Sequence, residues 1–264
     1  MNATLIKRAI NKSFSQQVSV YDAHANVQIS SAKALAEFLQ SGIDKVPPGT
    51  ILELGCGTGI FTTHLLNLFP DRLIRVSDIS QSMLNQCEQL LSPARERILF
   101  SLVDAEEFIS EQPIALIAAS FSLQWVTDFY STVGRLLTTL KPDGQLIFSV
   151  PLAGSFSEWR EQCLQANVPF SANTLPEKSQ LIEWCTLNAL TLEWVQLPIV
   201  CEYDSALDFF KSLKGVGASV NTSGVKLATT QLRRLIEVWD ANKNKKVKVT
   251  YNVLCGRITR GGDK

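Results

Sequence analysis

From residue 51 onward the chain alternates short apolar runs with amphipathic stretches. Ile51-Leu52-Glu53-Leu54 has the pattern of a short buried strand, and Ile60-Phe61 with Leu65-Leu66 that of the helix after it. Leu73-Ile74-Arg75-Val76 is a strand ending at Asp78, and Ser82-Met83-Leu84 opens a helix. Ile98-Leu99-Phe100 leads to Asp104-Ala105-Glu106. Ile114 to Ala119 contains no polar position, which predicts a strand covered on both faces. A helix through Leu136-Leu137 reaches Leu140-Lys141-Pro142-Asp143-Gly144, and Gln145 to Val150 form the next strand. The alternation predicts an α/β fold whose parallel, doubly wound sheet binds its ligand at the carboxyl ends of the strands.

The flanks follow a different rhythm. The first 40 residues are polar and helical in pattern, ending in Leu35, Ala36, Phe38 and Leu39 before a Ser41-Gly42 stop. Pro47-Pro48-Gly49 launches the first strand. Pro151 to about Leu190 carries helical patches around Trp159 and Trp184. Leu192 to Glu202 reads as a strand, Ala206 to Gly215 and Val225 to Trp239 as helices, and Val247 to Ile258 as a closing strand. No repeat interrupts this order.

A hydrophobic content of 45% and a charged fraction of 19% over 264 residues describe a folded domain with a sizeable core. Lys+Arg and Asp+Glu each number 25, so no global field draws the chain to nucleic acid. The six cysteines form no C-x-x-C pair, and His24 and His64 are the only histidines, which argues against zinc and for free thiols in a reducing compartment. No apolar run follows Lys7 and Arg8, so no signal peptide is expected. The longest apolar stretch, Ile114 to Val126, is too short to span a bilayer. A cytoplasmic protein that acts neither on a membrane nor on nucleic acid is the expectation.

The chemistry concentrates after the first strand. Gly55, Gly57 and Gly59 stand at alternate positions, a turn that lets backbone approach a ligand closely. The dinucleotide fingerprint wants its third glycine three residues after the second, where Ile60 stands. Glu53 is costly in a buried strand unless it meets a cation, and an amino-acid ammonium would serve. Asp78, about 20 residues beyond the turn, is placed to accept both hydroxyls of a ribose, or only to cap a helix. Met83 could pack on adenine or simply in the core. Asp104 could accept the adenine amino group, with Ala105 allowing close approach, or be a turn aspartate. Cys56 reads as a small filler, since no base stands near it in sequence.

Glu53-Leu54-Gly55-Cys56-Gly57-Thr58-Gly59 resembles the first motif of class I S-adenosylmethionine methyltransferases. A narrower likeness lies in Phe14-Ser15, Tyr21-Asp22-Ala23-His24-Ala25 with Gln28, and Ser122-Leu123-Gln124-Trp125. Leu213-Lys214-Gly215-Val216-Gly217-Ala218 and Thr250 to Gly256 extend it. Together these resemble the malonyl-acyl carrier protein O-methyltransferases of biotin synthesis from residue 14 to 256. Lys211 departs from that pattern, which often has arginine there.

The resemblance implies a Rossmann-like, mostly parallel seven-stranded sheet with helices on both faces. It makes 1–264 one domain: a helical lid over 1–40, a cofactor-binding half over 46–150, caps over 151–190 and 204–240, and closing strands over 191–202 and 247–258. S-adenosylmethionine is the implied cofactor, held by Glu53, Gly55 to Gly59, Asp78, Ile79, Met83, Asp104, Ala105 and Ser120. Tyr21 and His24 would hold the acceptor carboxylate from the lid, with Gln124 and Trp125 walling its pocket; packed core residues are the plainer alternative. The implied partner is an acyl carrier protein, or coenzyme A, bearing a malonyl thioester. Lys211, Lys214, Arg233 and Arg234 are the expected carrier face, while Lys243, Lys245, Lys246 and Lys248 are expected to keep an edge strand soluble. A methyltransferase for another small acid or a quinone precursor, and a silent cofactor-binding scaffold, are the competing readings.

Overall fold

The computed structural model describes residues 3–241 and 246–260. Three helices come first: α1 (Ala3–Gln17), the single turn α2 (Tyr21–His24) and α3 (Asn26–Gln40). The alternating segment follows as β1 (Ile51–Leu54), α4 (Ile60–Leu68), β2 (Ile74–Asp78), α5 (Gln81–Leu90), β3 (Ile98–Leu102), β4 (Ile114–Ser120), α6 (Phe129–Thr138) and β5 (Leu140–Pro151). The last part runs α7 (Ser157–Gln165), α8 (Lys178–Leu187), β6 (Thr191–Tyr203), α9 (Ala206–Gly215), α10 (Thr229–Trp239) and β7 (Val247–Thr259). The seven strands form one sheet in the order β3-β2-β1-β4-β5-β7-β6. Strands β1 to β5 pair in parallel, and β7 runs antiparallel to both β5 and β6. Strand order reverses between β1 and β4, the switch point at which such sheets bind ligands.

Neighbouring residues of the central strands serve opposite layers. Ile51, Leu116 and Ala118 join Leu35, Leu39 and Leu65 on one face. Leu52, Leu54, Ile117 and Ala119 join Val133, Leu136 and Leu181 on the other. This is the two-residue period of a strand buried on both sides. Each fully buried leucine or isoleucine contributes about 1.5–3 kcal/mol, so truncating Leu65 to alanine would damage one whole layer.

Two sequence expectations change. The helix expected from Val225 begins only at Thr229, where the Gln231 side chain accepts from the Ala228 N–H at 2.8 Å. Val225 and Leu227 lie in an extended segment facing a cavity, so their alternation reports burial along a loop. Strand β7 is also not an edge. It lies between β5 and β6, and Lys248 pairs with Glu202 at 3.1 Å and Lys246 with Asp204 at 3.2 Å. Those lysines therefore meet acids of or beside β6; Lys243 and Lys245 lie outside the described residues.

Candidate active site

The turn after β1 floors a cleft at the switch point. Gly55 and Cys56 donate their N–H groups to Ser77 O at 2.8 and 2.9 Å, and Gly57 donates to Asp78 Oδ2 at 2.9 Å, strapping the turn to β2. Gly57 has φ +55°, and a Cβ there would meet nothing within 4 Å because it would project into the cleft. Glycine supplies the left-handed backbone and keeps the floor bare. Asp78 lines the same cleft and accepts from Ser80 N at 2.8 Å through Oδ1. Its two oxygens, held by backbone donors from Gly57, Ser80 and Ile79, keep one lone pair for a ligand hydroxyl. Burial pushes the Asp78 pKa up, and the backbone bonds from Ser80, Gly57 and Ile79 pull against it.

Helix α1 roofs this cleft with Lys7, Ile10 and Phe14, spaced three and four residues apart on one helical face. Lys7 Nζ lies 2.7 Å from Asp104 Oδ2 and 2.7 Å from Glu106 Oε2. Asp104 also accepts from Glu106 N at 2.9 Å, so Lys7 and this N–H use one lone pair on each oxygen. Among the described residues the cleft's charged side chains are Asp78, Asp104 and Glu106 against Lys7 alone. Ile79, Ala105 and Ser120 line it as well. A ribose-bearing cation fits this set: acceptors for hydroxyl and amino groups, an excess of carboxylate, and a bare glycine floor.

Three residues expected at the cofactor lie behind the cleft. Glu53 is wholly buried, takes a 2.7 Å bond from Thr62 Oγ1 on Oε2, and has no partner for Oε1. Burial pushes its pKa up to about 8, with Asp78 adding and Thr62 opposing. Burial thus favours the protonated acid, which carries no charge for a ligand ammonium to balance. Met83 is 1% exposed in the core. Gly59 caps α4, and a Cβ there would fall 2.9 Å from Cys87 Sγ. Thr58 lines the cleft but spends its hydroxyl on Asp22 Oδ1 at 2.6 Å, tying α2 to the glycine turn. Cys56 lines the cleft too, and its bond with Cys87 and its burial hold the thiol protonated, which suits a filler.

A second cavity, about 540 Å³, adjoins the first, and the two share Phe14, Tyr21, Gln28, Phe121 and Trp125. The Phe14 and Trp125 rings meet edge to face at 5.5 Å. Phe121 holds φ +53°, a conformation costly without glycine, fixed by Phe121 N donating to Ser149 O at 2.9 Å. Gln124 donates Nε2 to Phe121 O at 2.7 Å, which leaves its buried Oε1 without a partner. Burial pushes the Tyr21 phenol well above its ordinary value, with Asp78 and Asp22 adding to the shift. It stays a protonated donor throughout the physiological range. His24 packs so closely on Gly215 that a Cβ there would sit 2.2 Å from His24 Cδ2. The far walls are aromatic, from Phe156, Trp159, Phe210 and Tyr251. Lys214 and Lys226, both exposed, line the chamber; no Asp or Glu does among the described residues.

A family model described as a methyltransferase domain matches residues 21–195. The malonyl-[acyl-carrier protein] O-methyltransferase of Magnetococcus marinus is 30% identical over 258 residues, 96% of this chain and 93% of its own length. The chain belongs to the malonyl-[acyl-carrier protein] O-methyltransferase family. The protein of that name from Priestia megaterium is 29% identical, over 96% of this chain and 98% of its own. Among solved structures, the YcgJ protein of Bacillus subtilis aligns at a TM-score of 0.63 with 12% identity, over 88% of this chain and 100% of its own, a likeness of fold. This methyltransferase is an enzyme, and its cofactor is S-adenosylmethionine.

In this methyltransferase, Tyr21, His24, Gln124 and Trp125 all line the chamber, and Tyr21 and Trp125 also face the cleft at the glycine turn. Of the expected carrier face, Lys214 reaches the chamber, Arg233 and Arg234 are exposed on α10, and Lys211 pairs with Asp208 at 3.1 Å on its own helix. Sequence reasoning missed Lys7, Phe121 and Lys226. A signal existed for Lys7, on the helical stripe of Ile10 and Phe14; none existed for Phe121, whose role rests on a backbone angle. No helix among the described residues is long and apolar enough to cross a membrane.

Proposed function

We propose that this methyltransferase moves the methyl group of S-adenosylmethionine to the free carboxylate of malonyl-acyl carrier protein, giving the methyl ester that starts pimeloyl assembly in biotin synthesis. The observation that carries the reading is the meeting of an acid-rich cleft and an acid-free chamber across Phe14, Tyr21 and Trp125. S-adenosylmethionine supplies a sulfonium methyl, an electrophile needing no further activation. The acceptor carboxylate is ionised at neutral pH, like any carboxylate titrating near pH 4, so no general base is required. Alignment and removal of water remain for the protein to supply.

Tyr21 donates a hydrogen bond to one acceptor oxygen from the junction, and its raised pKa keeps that donor in place. His24 holds the acceptor from the same helical turn, seated on Gly215. Trp125 and Phe14 close the junction against water, and Gln124 orients the acceptor beyond it. Asp78 and Asp104 hold the nucleoside end of the cofactor, with α1 as a lid. Lys214, Arg233 and Arg234 face the acidic carrier. Purified protein incubated with labelled cofactor should form methyl ester on malonyl-carrier protein best, on malonyl-coenzyme A less, and on free malonate least. Label on none of the three would overturn the reading.

A further inference from the structure

A malonyl group has three carbons, whereas the acceptor chamber of about 540 Å³ is in the range of sites that enclose a drug-sized ligand. Its polar features also exceed what one carboxylate needs. The reacting carboxylate belongs at the junction beside Tyr21, since only there do the two cavities touch. Lys214 and Lys226 stand elsewhere, exposed on the solvent side, and neither makes an ion pair within the described residues. They present two cations to a second anion.

The rim that carries Lys226 is built to hold its shape. Asn173 donates Nδ2 to Val220 O at 2.8 Å and accepts from Thr222 N at 2.8 Å. Asn221 donates Nδ2 to Ser171 O at 3.0 Å and to Val225 O at 2.7 Å. Three of these bonds clip the segment before α10 to the segment before α8, and the fourth folds the former on itself beside Lys226. Further in, the buried Oε1 of Gln124 lacks a donor. The chamber lining offers two lysines and no carboxylate among the described residues.

Building on the proposed acceptor, we infer that the chamber takes the whole phosphopantetheine arm of the thioester, with Lys214 and Lys226 binding its phosphodiester. The aromatic walls cover its methylenes. The phosphate is common to the carrier-bound arm and to coenzyme A, so recognition at the rim is indifferent to which of them delivers it.

The test compares kcat/KM for malonyl-4′-phosphopantetheine, malonyl-pantetheine lacking the phosphate, malonyl-coenzyme A and malonyl-carrier protein. The wild type should prefer the phosphorylated arm over its phosphate-free counterpart by about tenfold or more. A Lys214→Met/Lys226→Met variant should lose that preference, and Lys214→Arg/Lys226→Arg, which keeps both charges, should retain it. A wild type blind to the phosphate, or a methionine variant that falls equally on both arms, overturns the inference while leaving the proposed reaction standing. A loss confined to the carrier substrate overturns it too, in favour of contacts with the carrier's surface. No methyl ester on any of the four thioesters removes the proposed reaction and this inference together.

Discussion

The cleft at the β1 turn sets three carboxylates against Lys7, while the chamber beyond Trp125 has two lysines and no carboxylate among its described lining. In the proposed reaction, a positive sulfonium donor and a negative acceptor would each find the opposite sign on their own side of a shared aromatic wall. Left to solution, the two charges would attract without regard to geometry. Segregated fields would let each reactant of the proposed reaction bind its own compartment, and among the described residues Phe14, Tyr21, Gln28, Phe121 and Trp125 line both. The two regions also differ in construction. Local turns and strand ends build the floor of the cleft, whereas the chamber joins α2 to α9 and later loops, distant in sequence, and Ser13 Oγ of α1 donates to Gly217 O across 204 residues nearby.

The largest effect should come from breaking the cleft at its floor. Asp78→Ala removes a carboxylate that accepts from both Gly57 and Ser80, together with the acceptors for a ribose. Two charge-assisted bonds at about 1.5 kcal/mol each amount to a loss of about a hundredfold or more in affinity for S-adenosylhomocysteine by titration calorimetry. Affinity unchanged within about threefold would contradict the placement of the cofactor. Behind the floor, Glu53 offers a pH test. Its folded pKa of about 8 lies above the ordinary value of 4.5, so the folded state binds the extra proton between them. That contribution is fully present below about pH 4.5 and is lost as pH rises through 8. Glu53→Gln in the cofactor-free protein should flatten this decline by about 3–4 kcal/mol, read from denaturant midpoints at pH 5 and pH 8.

On the other side of the wall, Gly215→Ala should spare the cleft and disable the chamber. The new methyl carbon would overlap His24, 2.2 Å from Cδ2, so the ring must leave its seat. Methyl transfer to malonyl thioesters should fall about ten- to a hundredfold in kcat/KM with cofactor affinity intact. Adding His24→Ala to that variant should cost little more if both act through the ring. Tyr21→Phe is the milder cut. It keeps the packing with Phe14 and deletes one donor, for about a tenfold loss in kcat/KM. Because the phenol is held above its usual range, wild-type activity should show no Tyr21 titration up to pH 10.

The difference between the regions also explains what could be read in advance. The glycine turn, Asp78 and the strand-helix alternation are local patterns, and the sheet places them as the alternation implies. Direction was harder. Glu53 and Gly59 sit within the right motifs yet lie behind the cleft, because adjacent positions of a strand or turn face opposite layers, and Met83 faces the core from α5. Long reach was hardest. Lys7 meets Asp104 across 97 residues, and Lys226 reaches the chamber only because Gly224, at φ +78°, and the Asn221 bonds keep its segment out of α10. No spacing rule joins such residues. The Tyr21–His24 motif was readable as a unit, but its anchor on Thr58 through Asp22 needed coordinates.

The smallest predicted effect sharpens the electrostatic contrast most. Lys7 is the cleft's one cation among the described residues, bridging Asp104 and Glu106 with a fifth of its side chain exposed. Lys7→Met leaves the helical stripe apolar but removes that charge, with two opposing consequences. Helix α1 loses ion pairs of modest worth, so both cofactor forms should bind somewhat more weakly. The cleft also becomes more negative, which favours the sulfonium over its neutral, demethylated product. Packing losses fall equally on the two ligands and cancel in their ratio, whereas the field acts only on the charged one. The ratio of S-adenosylmethionine to S-adenosylhomocysteine affinity should therefore rise about twofold, and the gain should shrink as salt is added. An unchanged ratio at low ionic strength would mean that Lys7 serves as a latch alone and that the contrast between the compartments rests on Asp78.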